Sequence, residues 1–143
     1  MVQVSYLFRW ATKDDVEDMV KLDRENMGLK KLGERISKTL IGFSVGSRAR
    51  VVTCGGKIVA SYYWTVVSSL KQAVLLSLQV KKEHRGLGLG TELLERFERD
   101  ARKQGGKSFS LSVFRGTRAV EFCRRNGYED VGQSLNSLTM MKW

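Results

Sequence analysis

Two periods of apolar residues run along this chain, and the places where one gives way to the other mark its elements. "YLFRW", residues 6–10, reads as a short strand. In "ATKDDVEDMVKLDREN", Val16, Met19, Val20 and Asp23 fall on one helical stripe with a polar edge. Thr12, with Asp15 three residues on, has the spacing of a capping box that opens this helix. A weaker helical pattern covers "LGERISKTLIGF". "ARVVTCGGKIVASYYWTVV" holds two β-branched and aromatic runs parted by Gly55 and Gly56, which predicts a hairpin. After Ser68 and Ser69, "AVLLSLQV" is apolar almost throughout, the pattern of a strand covered on both faces.

Helical spacing returns with Leu93, Leu94, Phe97 and Ala101, and "KQGG" ends that helix with basic residues followed by glycine. "KSFSLSV" alternates strictly, with Phe109, Leu111 and Val113 on one face and Ser108, Ser110 and Ser112 on the other. "TRAVEFCRRNGYEDVG" predicts a short helix that turns Ala119, Val120, Phe122 and Cys123 inward and stops at Gly127. "YEDVG" and "SLTMMKW" read as closing strands. The predicted order is β-α-α-β-β-β-α-β-α-β-β: an α/β chain with a mixed sheet covered by helices, in one domain over residues 1–143.

Composition narrows the class. A hydrophobic fraction of 42% and a charged fraction of 28% fit a soluble globular chain. "MVQVSYLFRW" has no basic region followed by a long apolar stretch, and no membrane-length apolar run occurs. A cytoplasmic protein without signal peptide or membrane span is expected. Cys54 and Cys123 make no disulfide framework and stand in no metal-ligand spacing, so no metal site is expected. The net charge of +10 changes the picture more. It attracts polyanions, whether nucleic acid, an acidic protein or a ligand with several phosphates, and it repels polyamines and aminoglycosides. No nucleic-acid-binding motif accompanies it.

"HRGLGLGTELLERF", residues 84–97, sets Gly86, Gly88 and Gly90 between a basic pair and the start of a helix. Glycines let backbone N–H groups approach a ligand, and a helix N-terminus adds unpaired N–H groups and partial positive charge. Together these form an anion site; the alternative is a tight strand-to-helix turn. A dinucleotide fingerprint fails because Thr91 or Leu93 stands where its last glycine belongs, and a P-loop fails because no lysine follows Gly90.

What remains is Arg85-x-x-Gly88-x-Gly90 between an apolar strand and an amphipathic helix, which resembles the acetyl-CoA loop of the GCN5-related N-acetyltransferase (GNAT) family. "RWATKDD" is similar to the family's opening R-x-A-T-x-x-D, "AVEFCRRNGY" to its A-x-x-x-Y-x-x-x-G-F helix end, and "MMKW" to its last strand. The resemblance spans nearly the whole chain. It implies the GNAT fold, a central mixed sheet with helices on both faces and a splay between the fourth and fifth strands. It implies acetyl-CoA as co-substrate, its pantetheine arm along the backbone of Leu78, Gln79 and Val80. The pyrophosphate would rest on the N–H groups of Arg85, Gly86, Leu87, Gly88, Leu89, Gly90 and Thr91. The serine face then either borders the cofactor or meets solvent. Lys81, Lys82, His84, Arg115, Arg118, Arg124 and Arg125 flank this region as phosphate contacts or as solvated charge.

The implied reaction is direct attack of a primary amine, of a protein or peptide in the leading reading, on the acetyl thioester. A lysine, with pKa about 10.4, needs its proton removed; an α-amino group, about 7.7–8.0, needs less help. An N–H of the strand ending at Val80 is the implied oxyanion donor. Where relatives place a proton-donating tyrosine, alignment on Gly127 gives Cys123, the one catalytic candidate. Its thiol either donates to the leaving sulfur, with neighbouring arginines lowering its pKa, or simply packs. Without a donor the sulfur can leave as thiolate, its thiol having a pKa of about 8.5. No carboxylate lies in either central strand: Gln72, Gln79 and Ser112 stand near the places where many relatives carry glutamate. Proton removal would run through ordered water, the Tyr62–Tyr63 strand or Glu83. Tyr128 replaces a core phenylalanine, a packing role. The alternatives are a GNAT-fold CoA sensor that has lost catalysis, a small-molecule amine acetyltransferase, and a nucleic-acid binder. Lysine or N-terminal specificity and a homodimer are left open.

Overall fold

Asp15 closes the capping box that the sequence predicts, and it does more than cap. Its carboxylate accepts the Thr12 N–H at 2.8 Å and both terminal nitrogens of Arg9 at 2.8 and 2.9 Å, tying the first strand to the first helix. The computed structural model describes residues 5–143; residues 1–4, part of the segment read as lacking a signal sequence, lie outside the described residues. The elements are β1 (Leu7–Trp10), α1 (Val16–Met27), α2 (Lys31–Ser44), β2 (Ala49–Cys54), β3 (Lys57–Val67), β4 (Gln72–Val80), α3 (Leu89–Lys103), β5 (Ser108–Phe114), α4 (Arg118–Arg125), β6 (Glu129–Gln133) and β7 (Ser137–Lys142). This is the order predicted from sequence, with short 3-10 turns added at Lys13–Asp15, Ser68–Leu70 and Lys82–His84.

The strands form one mixed sheet in the order β1-β2-β3-β4-β5-β7-β6. Only β4 and β5 run parallel; the other neighbours are antiparallel. On one face Met19 and Val20 of α1 and Ile41 of α2 pack on Val51 and Tyr63. On the other, Leu93, Leu94 and Phe97 of α3 and Cys123 of α4 close over Trp64 and Phe109. Trp64 is fully buried, stacked on Tyr62 at 5.6 Å and met edge-on by Phe97 at 6.0 Å. No helix of the described residues is long and apolar enough to cross a membrane.

One irregularity positions the site. Along the β3–β4 ladder Tyr63 faces Ser77 while Trp64 faces Leu75, so Leu76 is an extra residue in β4. Such a bulge bends its strand and raises the local twist. The parallel ladder joins only Gln72 to Ser108, Ala73 to Phe109 and Val74 to Ser110. Beyond it β4 stays with β3 as far as Val80, β5 stays with β7 as far as Phe114, and the sheet splits between them.

Three expectations change. "AVLLSLQV" is not covered on both faces: Ala73, Leu75 and Ser77 are buried, but the residues between them, whose side chains alternate to the opposite side of the strand, are half-exposed. Ala119 is exposed on α4 and is not part of the packed core. Asp23, read as the polar edge of the α1 stripe, is 1% exposed.

The Arg9 hydrogen bonds hold the Asp15 carboxyl below the usual carboxylate range, against the upward push of burial and with help from the Thr12 N–H. A depressed folded-state pKa adds stability above the unfolded value of about 3.9 and loses it as pH falls through the lower folded value. Urea unfolding between pH 6 and 2 should therefore show stability falling below about pH 4. Asp15→Asn should be about 1 kcal/mol less stable at pH 6 and show a shallower acid limb.

Candidate active site

From Val80 the chain makes a 3-10 turn at Lys82–His84 and enters the glycine loop. Gly86 and Gly88 take left-handed φ of 77° and 81°, and a Cβ at either would meet nothing within 4 Å. The loop is therefore open above these glycines and is not packed shut. Gly88 caps α3 without a side-chain bond, so the first N–H groups of that helix are left for a ligand. Gly90 has a different role: a Cβ there would stand 3.4 Å from Phe122, where α4 closes on α3.

A groove of about 560 Å³ runs along this loop. Leu78, Gln79, Val80, Arg85, Gly86, Gly88, Leu89, Gly90 and Thr91 line it, with His84 beside the loop and Arg118 and Arg125 from α4. Leu87 lies outside the groove, 61% exposed. Of the other flanking cations, Arg124 is paired with Glu121 at 2.8 Å and Asp130 at 2.9 Å. His84 shares a 2.8 Å hydrogen bond between Nδ1 and the Tyr6 hydroxyl, fastening the loop to the segment before β1.

The groove continues into a cleft of about 600 Å³ between the split strands. Leu75 to Gln79 form one wall and Leu111 to Phe114 the other, so Ser112 faces the cleft while Ser110 is buried. Asn26 and Met27 close the α1 side, and Phe122 and Cys123 the α4 side. Among the described residues no charged side chain lines this cleft. Asn26 had no signature in the sequence; it is found only because the end of α1 comes to rest against β4. Its Nδ2 donates to Gln79 Oε1 at 3.0 Å and to the Val80 carbonyl at 3.1 Å. Arg85 Nε donates to the same carbonyl at 3.0 Å, so of the backbone groups expected to be free on β4 this one is engaged.

Cys123 is 3% exposed, and burial pushes its thiol up to about 11. This is opposite to the arginine-driven lowering expected from sequence, because the helix turns Arg124 and Arg125 to solvent while Cys123 faces the core. The candidate bases also separate. Glu83 is exposed and lines neither cavity, and Tyr62 donates to Asp100 at 2.8 Å on the α3 side. Tyr63 donates to Asp23 at 2.6 Å, and burial, then the Asp23 charge, push its phenol above the usual range.

A glycine-cradled groove at a helix start, opening into a split parallel strand pair, matches what sequence comparison finds: a model of the Acetyltransferase (GNAT) family fits residues 7–128. The chain belongs to the GNAT family. Acetyl-CoA is the co-substrate of this family. Solved GNAT-fold structures superimpose over nearly the full length. Ard1 from Thermoplasma volcanium matches with a TM-score of 0.83 and 20% identity, covering 97% of each chain. The PaiA N-acetyltransferase of Thermoplasma acidophilum, in complex with coenzyme A, gives 0.76 and 19%, covering 96% of this chain and 98% of that one. Arabidopsis thaliana Naa50, with the bisubstrate analogue CoA-Ac-MVNAL, gives 0.80 and 15%, covering 98% and 99%. Identities this low carry the fold and not the acceptor. No protein of curated function matches the chain in sequence.

The loop backbone makes a simple prediction about stability. Gly88→Ala places a side chain at φ 81° and should cost about 1–2 kcal/mol, lowering Tm by several degrees. Gly42→Ala, in the exposed body of α2 with nothing within 4 Å of the added Cβ, should raise stability by up to about 1 kcal/mol. Calorimetry of the two variants checks both signs.

Proposed function

We propose that this GNAT chain transfers acetyl from acetyl-CoA to a primary amine of a protein or peptide. The observation that carries this is continuity: the groove and the cleft share Asn26, Leu78, Gln79, Ala119 and Phe122, so one path joins an anion cradle to a gap in the sheet. Acetyl-CoA supplies the acetyl group already activated as a thioester. The residues present fit it. Open backbone at Gly86 and Gly88, the first N–H groups of α3, and Arg85, Arg118 and Arg125 would hold the phosphates. Leu78 and Gln79, on the free edge of β4, would receive the pantetheine arm, and a β4 amide would face the oxyanion.

A peptide acceptor suits the walls. Met27, Val113 and Phe114 make the cleft apolar, and it contains no carboxylate to receive a polycation. The net charge of +10 opposes polyamines further. The peptide analogue held by Naa50 gives the same fold a precedent for such an acceptor.

Cys123 is read as a wall residue that keeps its proton. A thiol near 11 is a weaker acid than the thiol whose anion it would protonate, at about 8.5, so the sulfur leaves as thiolate.

Titration calorimetry should show CoA binding, weakened at least about tenfold by Arg85→Ala with Gly88→Ala, since each well-placed phosphate contact is worth about 1.5–3 kcal/mol. Mass spectrometry of a peptide panel and of an extract incubated with labelled acetyl-CoA should find acetylated amines. A chain that binds no CoA overturns the proposal, and one that binds CoA but acetylates nothing is a binding module. Cys123→Ala should leave kcat within about threefold; a loss of about 10²-fold or more would give the thiol the donor role.

A further inference from the structure

Amine acetylation needs a proton acceptor, and among the described residues no carboxylate lines the cleft. One stands immediately behind its wall. Asp23 is 1% exposed, and its partners among the described residues are three hydroxyl groups, one from each neighbouring element. Oδ2 accepts from Ser37 of α2 and from Tyr63 of β3, both at 2.6 Å, while Oδ1 accepts from Ser77 of β4 at 2.9 Å. A buried carboxylate held by hydroxyls alone is costly, and packing between α1 and the sheet would be served better by leucine.

Ser77 connects this group to the site. It follows the extra residue Leu76, where the strands part, and it lines the cleft. Three hydrogen bonds in series point toward the carboxylate. Asn26 Nδ2 donates to Gln79 Oε1 at 3.0 Å, Gln79 Nε2 to Ser77 Oγ at 3.2 Å, and Ser77 Oγ to Asp23 Oδ1 at 2.9 Å. A hydroxyl has two acceptor lone pairs, so Ser77 keeps one for a ligand in the cleft.

We propose that Ser77 and Asp23 remove the proton of the acceptor amine, Ser77 touching the amine and Asp23 acting through it. The inference rests on the acetyltransferase reading above. An ammonium N–H breaks and its proton goes to Ser77 Oγ, while the Ser77 hydroxyl proton passes to Asp23 Oδ1 and neutralises the carboxylate. The freed lone pair forms the N–C bond to the thioester carbonyl, and the C–S bond breaks with its electrons on sulfur. The proton still in excess on nitrogen goes to that sulfur, giving amide and free thiol, and Asp23 returns its proton to solvent. The base that is missing from the central strands is thus supplied by α1.

The groups that face Asp23 leave it as the acceptor. From β3, Tyr63 is held protonated and remains a donor. From β4 come the uncharged Ser77 and Gln79. The charged side chains of α1 and α2 nearby pair at the surface, Arg24 with Glu34 and Glu17 with Lys38, each at 2.9 Å.

The test follows kcat/KM from pH 6 to 10 with the N-terminal peptide that the wild type acetylates fastest, alongside CoA affinity and thermal melting. Asp23→Asn and Ser77→Ala should each lower kcat/KM at pH 6 by about 10²-fold. The loss should shrink as pH passes the amine's own pKa of about 7.7–8.0, because free amine needs no acceptor. CoA affinity should stay within about twofold, and Ser77→Thr, which keeps the hydroxyl, should recover most of the rate. Wild-type rate and profile in Ser77→Ala would overturn the inference, as would a loss of equal size at every pH, which marks a structural role. If Asp23→Asn fails to fold, Ser77→Ala and Ser77→Thr decide alone. A wild type without turnover on any amine would instead overturn the proposed function.

Discussion

Backbone amides left without partners along one line of the sheet are the constraint on which the rest of this structure depends. An unpaired N–H or C=O is tolerated only where water or a ligand can reach it. Here β4 and β5 share three residue pairs and then part, and the extra residue Leu76 turns β4 aside just past the last of them. Each strand keeps its other neighbour, so the split leaves free edges without loosening the sheet. The gap must stay open to solvent or be filled by a ligand that itself donates and accepts, as an amide-bearing pantetheine arm does.

The helices turn that gap into a site. α3 begins at Gly88 and sends its first N–H groups to the mouth, α4 brings Arg118, Arg125 and Phe122 against it, and α1 closes the opposite side with Asn26 and Met27. Four buried carboxylates stand near the sheet, and their partners distinguish them: Asp15 has Arg9 at 2.8 Å. Asp100 has Arg50 at 2.7 Å and Glu98 has Lys142 at 3.0 Å, each with a tyrosine hydroxyl as well, so both are neutralised in place. Among the described residues Asp23 has hydroxyls alone, and of the four it is the one linked by a hydroxyl to the cleft. Charge pairing thus separates three carboxylates tied to a cation from Asp23, which has none among the described residues.

Much of this was legible in the chain, and the reasons are local. The Thr12–Asp15 capping box, the Gly55–Gly56 hairpin and the Leu93, Leu94, Phe97 and Ala101 stripe each rest on neighbours within a few residues, and each forms as read. The glycine loop was visible because left-handed backbone demands glycine at Gly86 and Gly88 whatever surrounds them. Readings that needed a second element went astray. Ala119 and Asp23 were placed by helical period alone, but what a face meets depends on which layer covers it. The arginines beside Cys123 in sequence are exposed while the thiol is buried, since i and i+1 on a helix do not share a face.

The sequence by itself determined the order of the elements, the family they belong to and the loop in which an anion would rest, because periodicity, caps and glycine angles are set within one turn or one strand. Tertiary structure alone decided where the sheet splits, that Asn26 and Met27 face Phe122 and Cys123 across it, and that Asp23 lies behind Ser77. Those facts join residues far apart in the chain, Asp23 and Ser77 by 54 positions and Asn26 and Phe122 by more, and no local pattern records which distant strand a helix will come to rest on.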